Sequence, residues 1–245
     1  MTLEADGVTH SYRGKSWTLT VPHLSLPASG VVGLVGVNGA GKSTLLRTLA
    51  GGMRPRAGQI RLDGSDIYGR GRRAVLGRLG LMAQEPSLPR ELRALDAVRY
   101  AAWLRGVDRA DCGGAALRAL QRVNLADVSR SPIRTLSGGM VRRLELAATL
   151  AGDPQVLFLD EPTTGLDPEQ RIQVREMIRS LGEDHSVVLS SHVMEDIELV
   201  AERVLVLHGG RLIFDGGIDV FVTATPGANG SAERAFIELL HGHSP

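Results

Sequence analysis

The chain has 245 residues, of which 43% are apolar and 22% are charged, and its formal net charge is +1. This composition is typical of soluble globular domains and excludes disordered and fibrous proteins, while the near balance of charge argues against a general nucleic-acid binder. At roughly 100–200 residues per domain, the length predicts one large domain or two small ones. The single cysteine, Cys112, excludes an internal disulfide and fits a reducing compartment.

The sequence shows no sign of membrane insertion or secretion. No apolar run approaches the roughly 18 residues that a membrane-spanning helix needs. The first residues carry neither the basic nor the apolar segment of a signal peptide. We therefore expect a chain that neither spans a membrane nor is exported.

The N-terminal part of the chain predicts strands followed by one helix. Residues 1–35 alternate short apolar stretches with turn residues, which predicts antiparallel strands leading into a buried strand at Val31–Val35. A helix is predicted over residues 42–50, and a short strand over residues 58–63.

A helical segment interrupts this β pattern. Residues 87–150 are rich in Ala, Leu and Arg at helical spacing and predict a small helical subdomain. Glycine and proline predict breaks inside it, at Gly106, at Gly113–Gly114 and at Pro132.

Strands return in the last third of the chain. The apolar runs at residues 156–160 and 186–190 enclose a predicted helix from Pro168 to about residue 181, and this order implies a parallel sheet with a right-handed crossover. Residues 204–214 predict a hairpin. We expect residues 1–220 to form one α/β domain with a mostly parallel sheet, and residues 221–245 to form a linker and a short helix.

A phosphate-binding loop follows the buried strand. Residues 36–44 match the pattern G-x-x-x-x-G-K-[ST], with a strand before and a helix after, which predicts a P-loop NTPase core. The glycines allow backbone N–H groups to point at an anion, Lys42 would reach the β- and γ-phosphates, and the Ser43 hydroxyl would bind Mg²⁺. The alternative is an ordinary glycine turn, but Lys42 is one of only two lysines in an arginine-rich chain. The predicted nucleotide contacts are Gly36, Asn38, Gly39, Ala40, Gly41, Lys42, Ser43 and Thr44.

Two acids end the strand at residues 156–160. Ligands bind beyond the carboxyl ends of the strands in such sheets, and we expect this strand to lie beside the strand of the phosphate loop. Asp160 is then placed to hold Mg²⁺ through water, and Glu161 to orient or deprotonate the attacking water as a catalytic residue. The alternative is a pair of solvated acids at a strand end.

With these motifs in place, the chain resembles the ATP-binding-cassette (ABC) ATPases over roughly residues 3–220. The most specific motif is Leu136–Met140, in which Ser137 caps a helix and Gly138 and Gly139 expose backbone N–H groups. The resemblance implies that this signature binds the γ-phosphate held by a second cassette, so that two ATP molecules lie between a head-to-tail pair. The alternative for the motif taken alone is a simple helix cap preceded by a loop.

Four further positions match the family by their motifs. Gln84 resembles the Q-loop glutamine, which senses Mg²⁺ and the attacking water, and His192 resembles the switch histidine that binds the γ-phosphate. Asp167 resembles the aspartate that crosses the dimer interface. Tyr12 resembles the aromatic residue that stacks on adenine, with Trp17 as a competing candidate.

The resemblance also implies a transport function. Met140 replaces the usual glutamine of the signature, as in drug-resistance and antibiotic-export cassettes of the ABC-2 type, which favours a subunit that binds and hydrolyses ATP to power export. Its partners would be integral membrane permease subunits and a second cassette, in a homodimer or heterodimer. It would lie in the cytoplasm on the inner face of the membrane. No nucleic-acid partner is expected, because the arginines at residues 70–78 are best explained as a solvated surface.

Two alternatives belong to other functional classes. A soluble cassette acting as a nucleotide-driven switch in DNA repair or translation would carry a long coiled coil or a second phosphate loop, and neither is visible. A small-molecule kinase would not explain the signature or His192. For a transporter, the resemblance implies that residues 85–110 form the surface on which the family docks its permease. The apolar residues there are Leu88, Leu92, Leu95 and Trp103, and core packing explains them equally well.

Overall fold

The computed structural model describes residues 2–12, 14, 16–85, 88–225, 227–228 and 230–242. Ser87, where the predicted helical subdomain begins, and Pro226 and Asn229 of the predicted linker lie outside the described residues. Within the described part of the chain, no helix is both long and apolar enough to cross a bilayer.

The strands form one mixed sheet in the order β5-β4-β1-β2-β10-β9-β3-β8-β7-β6. They are β1 (Leu3–Ser11), β2 (Thr18–Leu26), β3 (Gly30–Val35), β4 (Ala57–Leu62), β5 (Ser65–Asp66), β6 (Leu79–Met82), β7 (Val156–Asp160), β8 (Ser186–Ser191), β9 (Arg203–His208) and β10 (Arg211–Gly217).

Helices cover the sheet and form the inserted helical segment. They are α1 (Lys42–Leu49), α2 (Arg72–Gly77), α3 (Ala94–Leu104), α4 (Cys112–Arg122), α5 (Gly138–Leu150), α6 (Pro168–Asp184), α7 (Met194–Glu198), α8 (Ile218–Ala224) and α9 (Ala232–Gly242).

The predicted fold class is confirmed. Strands β9, β3, β8, β7 and β6 run parallel and form the core, while β1 pairs antiparallel with β2 and β4 at the N-terminal end of the sheet. Helices α3, α4 and α5 occupy the predicted helical segment. One expectation was wrong: β7, which carries Asp160, does not lie beside β3, because β8 lies between them.

Each parallel strand contributes to two hydrophobic cores, because alternate side chains point to opposite faces of the sheet. In β3, Val31 and Val35 pack into one core, and Val32 and Leu34 into the other. Helix α1 buries Leu45, Leu46 and Leu49 in the second of these cores. The sheet is therefore held rigidly from both faces, and its carboxyl edge forms a fixed platform for the site.

Several local expectations differ from the structure. Gly113 and Gly114 do not break a helix, since they lie in the first turn of α4, which Cys112, Ala115, Ala116 and Ala119 anchor in the core. Strand β6 and helices α2, α7 and α8 were not predicted. The predicted linker from residue 221 begins inside α8, which packs Phe221 into the core.

Candidate nucleotide site

The phosphate loop connects β3 to α1 at the carboxyl edge of the sheet. Its lysine bends back across the loop, so that Lys42 Nζ donates a hydrogen bond of 2.7 Å to the Gly36 carbonyl oxygen. Gly41 has φ 110°, and a Cβ at this position would lie 2.4 Å from the Trp17 ring. Only glycine fits there, because both the backbone conformation and the contact exclude a side chain.

The loop borders a cleft of about 360 Å³. Gly36 and Ala40, two of the predicted contacts, do not line this cleft: Gly36 supports Lys42, and the Ala40 N–H donates to the Val37 carbonyl oxygen over 3.1 Å. The remaining loop residues line it together with groups from three other segments: the β1–β2 connection, the segment after β6 and the turn after β7. The lining residues are Tyr12, Trp17, Val37, Asn38, Gly39, Gly41, Lys42, Ser43, Thr44, Gln84 and Glu161.

Two aromatic rings form one wall of the cleft. The centroids of Tyr12 and Trp17 are 6.1 Å apart, with an angle of 28° between the rings. The Tyr12 hydroxyl lies 3.0 Å from Thr44 Oγ1, which ties the ring to helix α1. Tyr12 is 38% exposed, and its aromatic ring is of the kind on which a planar base can stack. Trp17 extends this wall toward the phosphate loop.

The Glu161 carboxylate lies at the centre of the cleft's polar groups. Its Oε1 is 3.5 Å from Lys42 Nζ, and its Oε2 accepts a hydrogen bond of 3.0 Å from Thr164 Oγ1. The same Oε2 lies 2.6 Å from His192 Nδ1. Glu161 has φ 52°, a left-handed conformation that is costly for a residue with a side chain. Strain at a buried carboxylate of this kind is typical of functional sites.

Asp160 lies behind Glu161 and does not line the cleft. Its side chain is 1% exposed, and its Oδ1 accepts a hydrogen bond of 2.7 Å from Ser190 Oγ. The same hydroxyl accepts a bond of 3.0 Å from the Glu161 N–H. Ser190 on β8 therefore links both acids, a role that the sequence analysis missed; the available signal was a serine ending an apolar strand.

The residues of the signature lie outside the cleft. Ser137 caps α5, because its hydroxyl accepts a hydrogen bond of 3.3 Å from the Met140 N–H. Asp167 caps α6 in the same way, with a hydrogen bond of 2.9 Å from the Gln170 N–H. A Cβ on Gly139 would lie 2.4 Å from the Gln170 side chain, so the starts of the two helices touch. Gly138 is exposed beside them. The structure thus brings Ser137 and Asp167 onto one surface, separate from the phosphate loop.

The cleft offers oxygen donors suited to a divalent cation. Ser43 and Gln84 line it, and Asp160 stands one layer behind. Mg²⁺ prefers oxygen ligands, keeps several waters and commonly takes only one or two protein ligands directly. This donor set fits Mg²⁺.

The family model described as "ABC transporter" matches residues 19–164. This chain belongs to the ABC transporter family. It is an ATP-binding cassette with ATPase activity. Arg142 on α5, a second residue to which the sequence did not point, lies behind Asp160 and Glu161 of this cassette.

The cassette resembles subunits of export and resistance systems. It is 39% identical over 226 residues to the daunorubicin resistance ATP-binding protein DrrA3 of Streptomyces coeruleorubidus, covering 92% of this chain and 71% of the relative. It is 35% identical over 228 residues to the Nod factor export ATP-binding protein I of Paraburkholderia xenovorans, covering 93% and 74%. Neither relative supports the soluble switch in DNA repair or translation.

A solved structure with the same fold is the ATP-binding subunit of an ABC transporter. It aligns with a TM-score of 0.84 and 24% identity, covering 98% of this cassette and all of that chain (100%). At this level of identity the likeness bears on the fold alone, and it agrees with the mixed α/β architecture described above.

Proposed function

We propose that this cassette powers the export of a substrate through separate permease subunits, and that it works at the inner face of the membrane, in the cytoplasm. The observation that carries the proposal is the cleft in which Lys42, Gln84 and Glu161 meet beside the phosphate loop. Membership of the ABC transporter family and the likeness to resistance and export subunits support the same function.

In this proposal the phosphates of ATP lie on the loop N–H groups, at the positive end of α1. Lys42 exchanges its contacts with Gly36 and Glu161 for contacts with the phosphates. Mg²⁺ would be held by Ser43 and Gln84, with Asp160 acting through water, and would neutralise phosphate charge when bound. Tyr12 stacks on the adenine base.

We assign to Glu161 the role of orienting or deprotonating the attacking water. Loss of its Lys42 contact on ATP binding would leave its carboxylate held by Thr164 and His192, with a free lone pair to orient the water or accept its proton. His192 would respond to the γ-phosphate from its position beside Glu161. These roles use side chains that the structure already brings together.

A second cassette would complete the site. Ser137, Gly138 and Asp167 lie together on a surface that does not line this chain's own cleft, whereas Gly139 is buried against Gln170 just below it. A helix N-terminus with bare glycine N–H groups binds anions well, so this surface suits the γ-phosphate of a partner. We propose a head-to-tail pair, formed by an identical or a different cassette.

The permease would dock in an apolar groove of about 390 Å³ next to Gln84. Leu88 lines this groove, together with Tyr100 and Leu104, which are 55% and 60% exposed. Trp103 is also exposed and stacks on Tyr100, whereas Leu92 and Leu95 pack against the core. Ala83 and Glu85, which stand on either side of Gln84 in the sequence, also line the groove. A permease segment bound there would therefore touch the loop that enters the ATP cleft.

The test is recovery of the tagged cassette from detergent-solubilised membranes of its own cell. We expect an integral membrane protein to copurify, and Leu104→Asp to abolish this, because a charge in the groove opposes burial of an apolar partner. Leu117→Asp is the matched control, since Leu117 is an exposed leucine of α4 outside the groove. Copurification of only soluble or nucleic-acid partners would contradict the proposal, as would equal losses in both variants.

A further inference from the structure

Arg142 is a charged side chain buried behind the acids of the ATP cleft. It belongs to α5, the helix opened by the signature, and is 6% exposed. All three guanidinium nitrogens donate to backbone carbonyl oxygens: Nε to Pro162 at 3.1 Å, and Nη2 to Asp160 at 3.1 Å and Glu161 at 2.7 Å. Nη1 donates to Ala83 at 3.2 Å and to Gln84 at 3.1 Å.

These carbonyl oxygens belong to the two segments that supply the cleft with Gln84 and Glu161. Strands β6 and β7 are neighbours whose pairing ends at Met82 and Leu159. Beyond that point these two segments no longer pair with each other, so the carbonyl oxygens that faced the neighbouring strand need other hydrogen-bond donors. The rigid fork of an arginine satisfies several such acceptors at once, which a lysine cannot do.

The charge of Arg142 is balanced within the same helix. Glu145 Oε2 lies 2.9 Å from Arg142 Nη1, and both side chains are 7% exposed. Glu145 also lines the apolar groove beside Gln84. The pair therefore spans the space between the groove and the back of the turn at Glu161, and neither of its side chains lines the cleft.

We propose that Arg142 is a positioning residue for hydrolysis. It holds the left-handed turn at Glu161 and the backbone at Gln84 in one fixed relation, so that both side chains reach the same point of the cleft. The proposal rests on the role assigned to Glu161 above. It predicts that losing Arg142 slows the chemical step while ATP binding at the phosphate loop remains, because within the described part of the chain none of the hydrogen bonds of Arg142 reaches that loop.

The experiment compares three variants of the full chain by steady-state ATPase kinetics and thermal unfolding. Arg142→Lys keeps the charge beside Glu145 but loses the fork. The double variant Arg142→Met with Glu145→Leu removes both buried charges, which avoids leaving one unpaired. Arg143→Met is the matched control, since Arg143 is the next residue on α5 and makes a hydrogen bond only to the Val123 carbonyl oxygen at 3.4 Å among the bonds described.

We expect kcat to fall about tenfold or more in Arg142→Lys and in the double variant, with KM for ATP within about threefold, because small displacements of catalytic groups cost up to about a hundredfold. Arg143→Met should keep both constants. Unchanged kcat in Arg142→Lys, or a loss expressed mainly in KM, overturns the proposal. Glu161→Gln measured alongside separates the two ideas: full turnover there refutes the role of Glu161, whereas slow turnover there with unchanged Arg142→Lys refutes only the positioning role.

Discussion

Two serines of the same strand provide a controlled test of how the acids of the site are held. Ser190 and Ser186 both lie on β8 and are 0% exposed. Ser190 Oγ donates to Asp160 Oδ1 over 2.7 Å and accepts from the Glu161 N–H over 3.0 Å. Ser186 Oγ has no hydrogen-bond partner among the described residues. Replacing each by alanine removes the same atom from the same kind of environment.

The expected effects differ because the partners differ. Ser190→Ala removes a buried bond to a carboxylate, which contributes about 1.5–3 kcal/mol to the free energy of unfolding. The Glu161 N–H keeps its 3.2 Å bond to the Ser190 carbonyl oxygen, so we expect a loss of about 2 kcal/mol. At about 2–4 °C per kcal/mol for a chain of this size, the midpoint of unfolding should fall by about 4–8 °C. Ser186→Ala should be neutral or slightly stabilising, because it deletes a buried hydroxyl that makes no bond.

Thermal unfolding followed by circular dichroism without nucleotide measures both variants against the parent chain. The difference between the two midpoints is the informative quantity, since any general cost of truncating a serine in β8 cancels. Equal midpoints for the two variants would show that the bond to Asp160 contributes nothing, and the argument that Ser190 holds the acids would then fail.

Two further predictions concern catalysis and pH. Glu161→Gln should lower turnover by about a hundredfold or more. It should also form an ATP-dependent dimer in size-exclusion chromatography, whereas a Glu169→Gln variant, changed at an exposed glutamate, should do neither. A Glu161→Gln variant that stays monomeric with ATP would contradict the pairing of cassettes. Burial, reinforced by the positive charge of Arg122, lowers the pKa of His185 below its unfolded value of about 6.5. The unfolded chain therefore binds the proton first, and the free energy of unfolding decreases as pH falls below about 6.5. His185→Leu should therefore lower the pH sensitivity of the unfolding midpoint between about pH 7.5 and about pH 5.5, and an unaltered sensitivity contradicts this.

The parts of the fold that were predictable are those fixed by local pattern. The largely apolar runs of β3, β7 and β8 are buried on both faces, and such runs are typical of central parallel strands. Strand β6 has only four residues and includes a glycine, so it gives almost no periodic signal. Strand order is not a local property either, which is why the insertion of β8 between β3 and β7 was not anticipated.

The same distinction applies within the site, between the phosphate loop and the residues that support Glu161 from behind. Lys42 and its glycines were predictable because one short segment supplies the loop, the helix end and the charge together. Ser190 and Arg142 act on Glu161 only because the sheet and α5 bring distant segments into contact, and nothing in their sequence neighbourhood specifies the partner. An arginine and a glutamate three residues apart on an apolar helix face were the one available hint.

The position of Arg142 on α5 bears on how ATP binding and transport are linked. Arg142 lies on the helix that Ser137 opens, so one rigid element carries both the surface proposed to bind a partner's γ-phosphate and the guanidinium that supports this chain's own Glu161. Movement of α5 relative to the core would disturb the carbonyl contacts at Gln84 and Glu161 together. A permease segment bound in the proposed groove beside Glu145 would contact the same helix. Hydrolysis would then be fast only when the partner cassette and the permease both hold α5 in place.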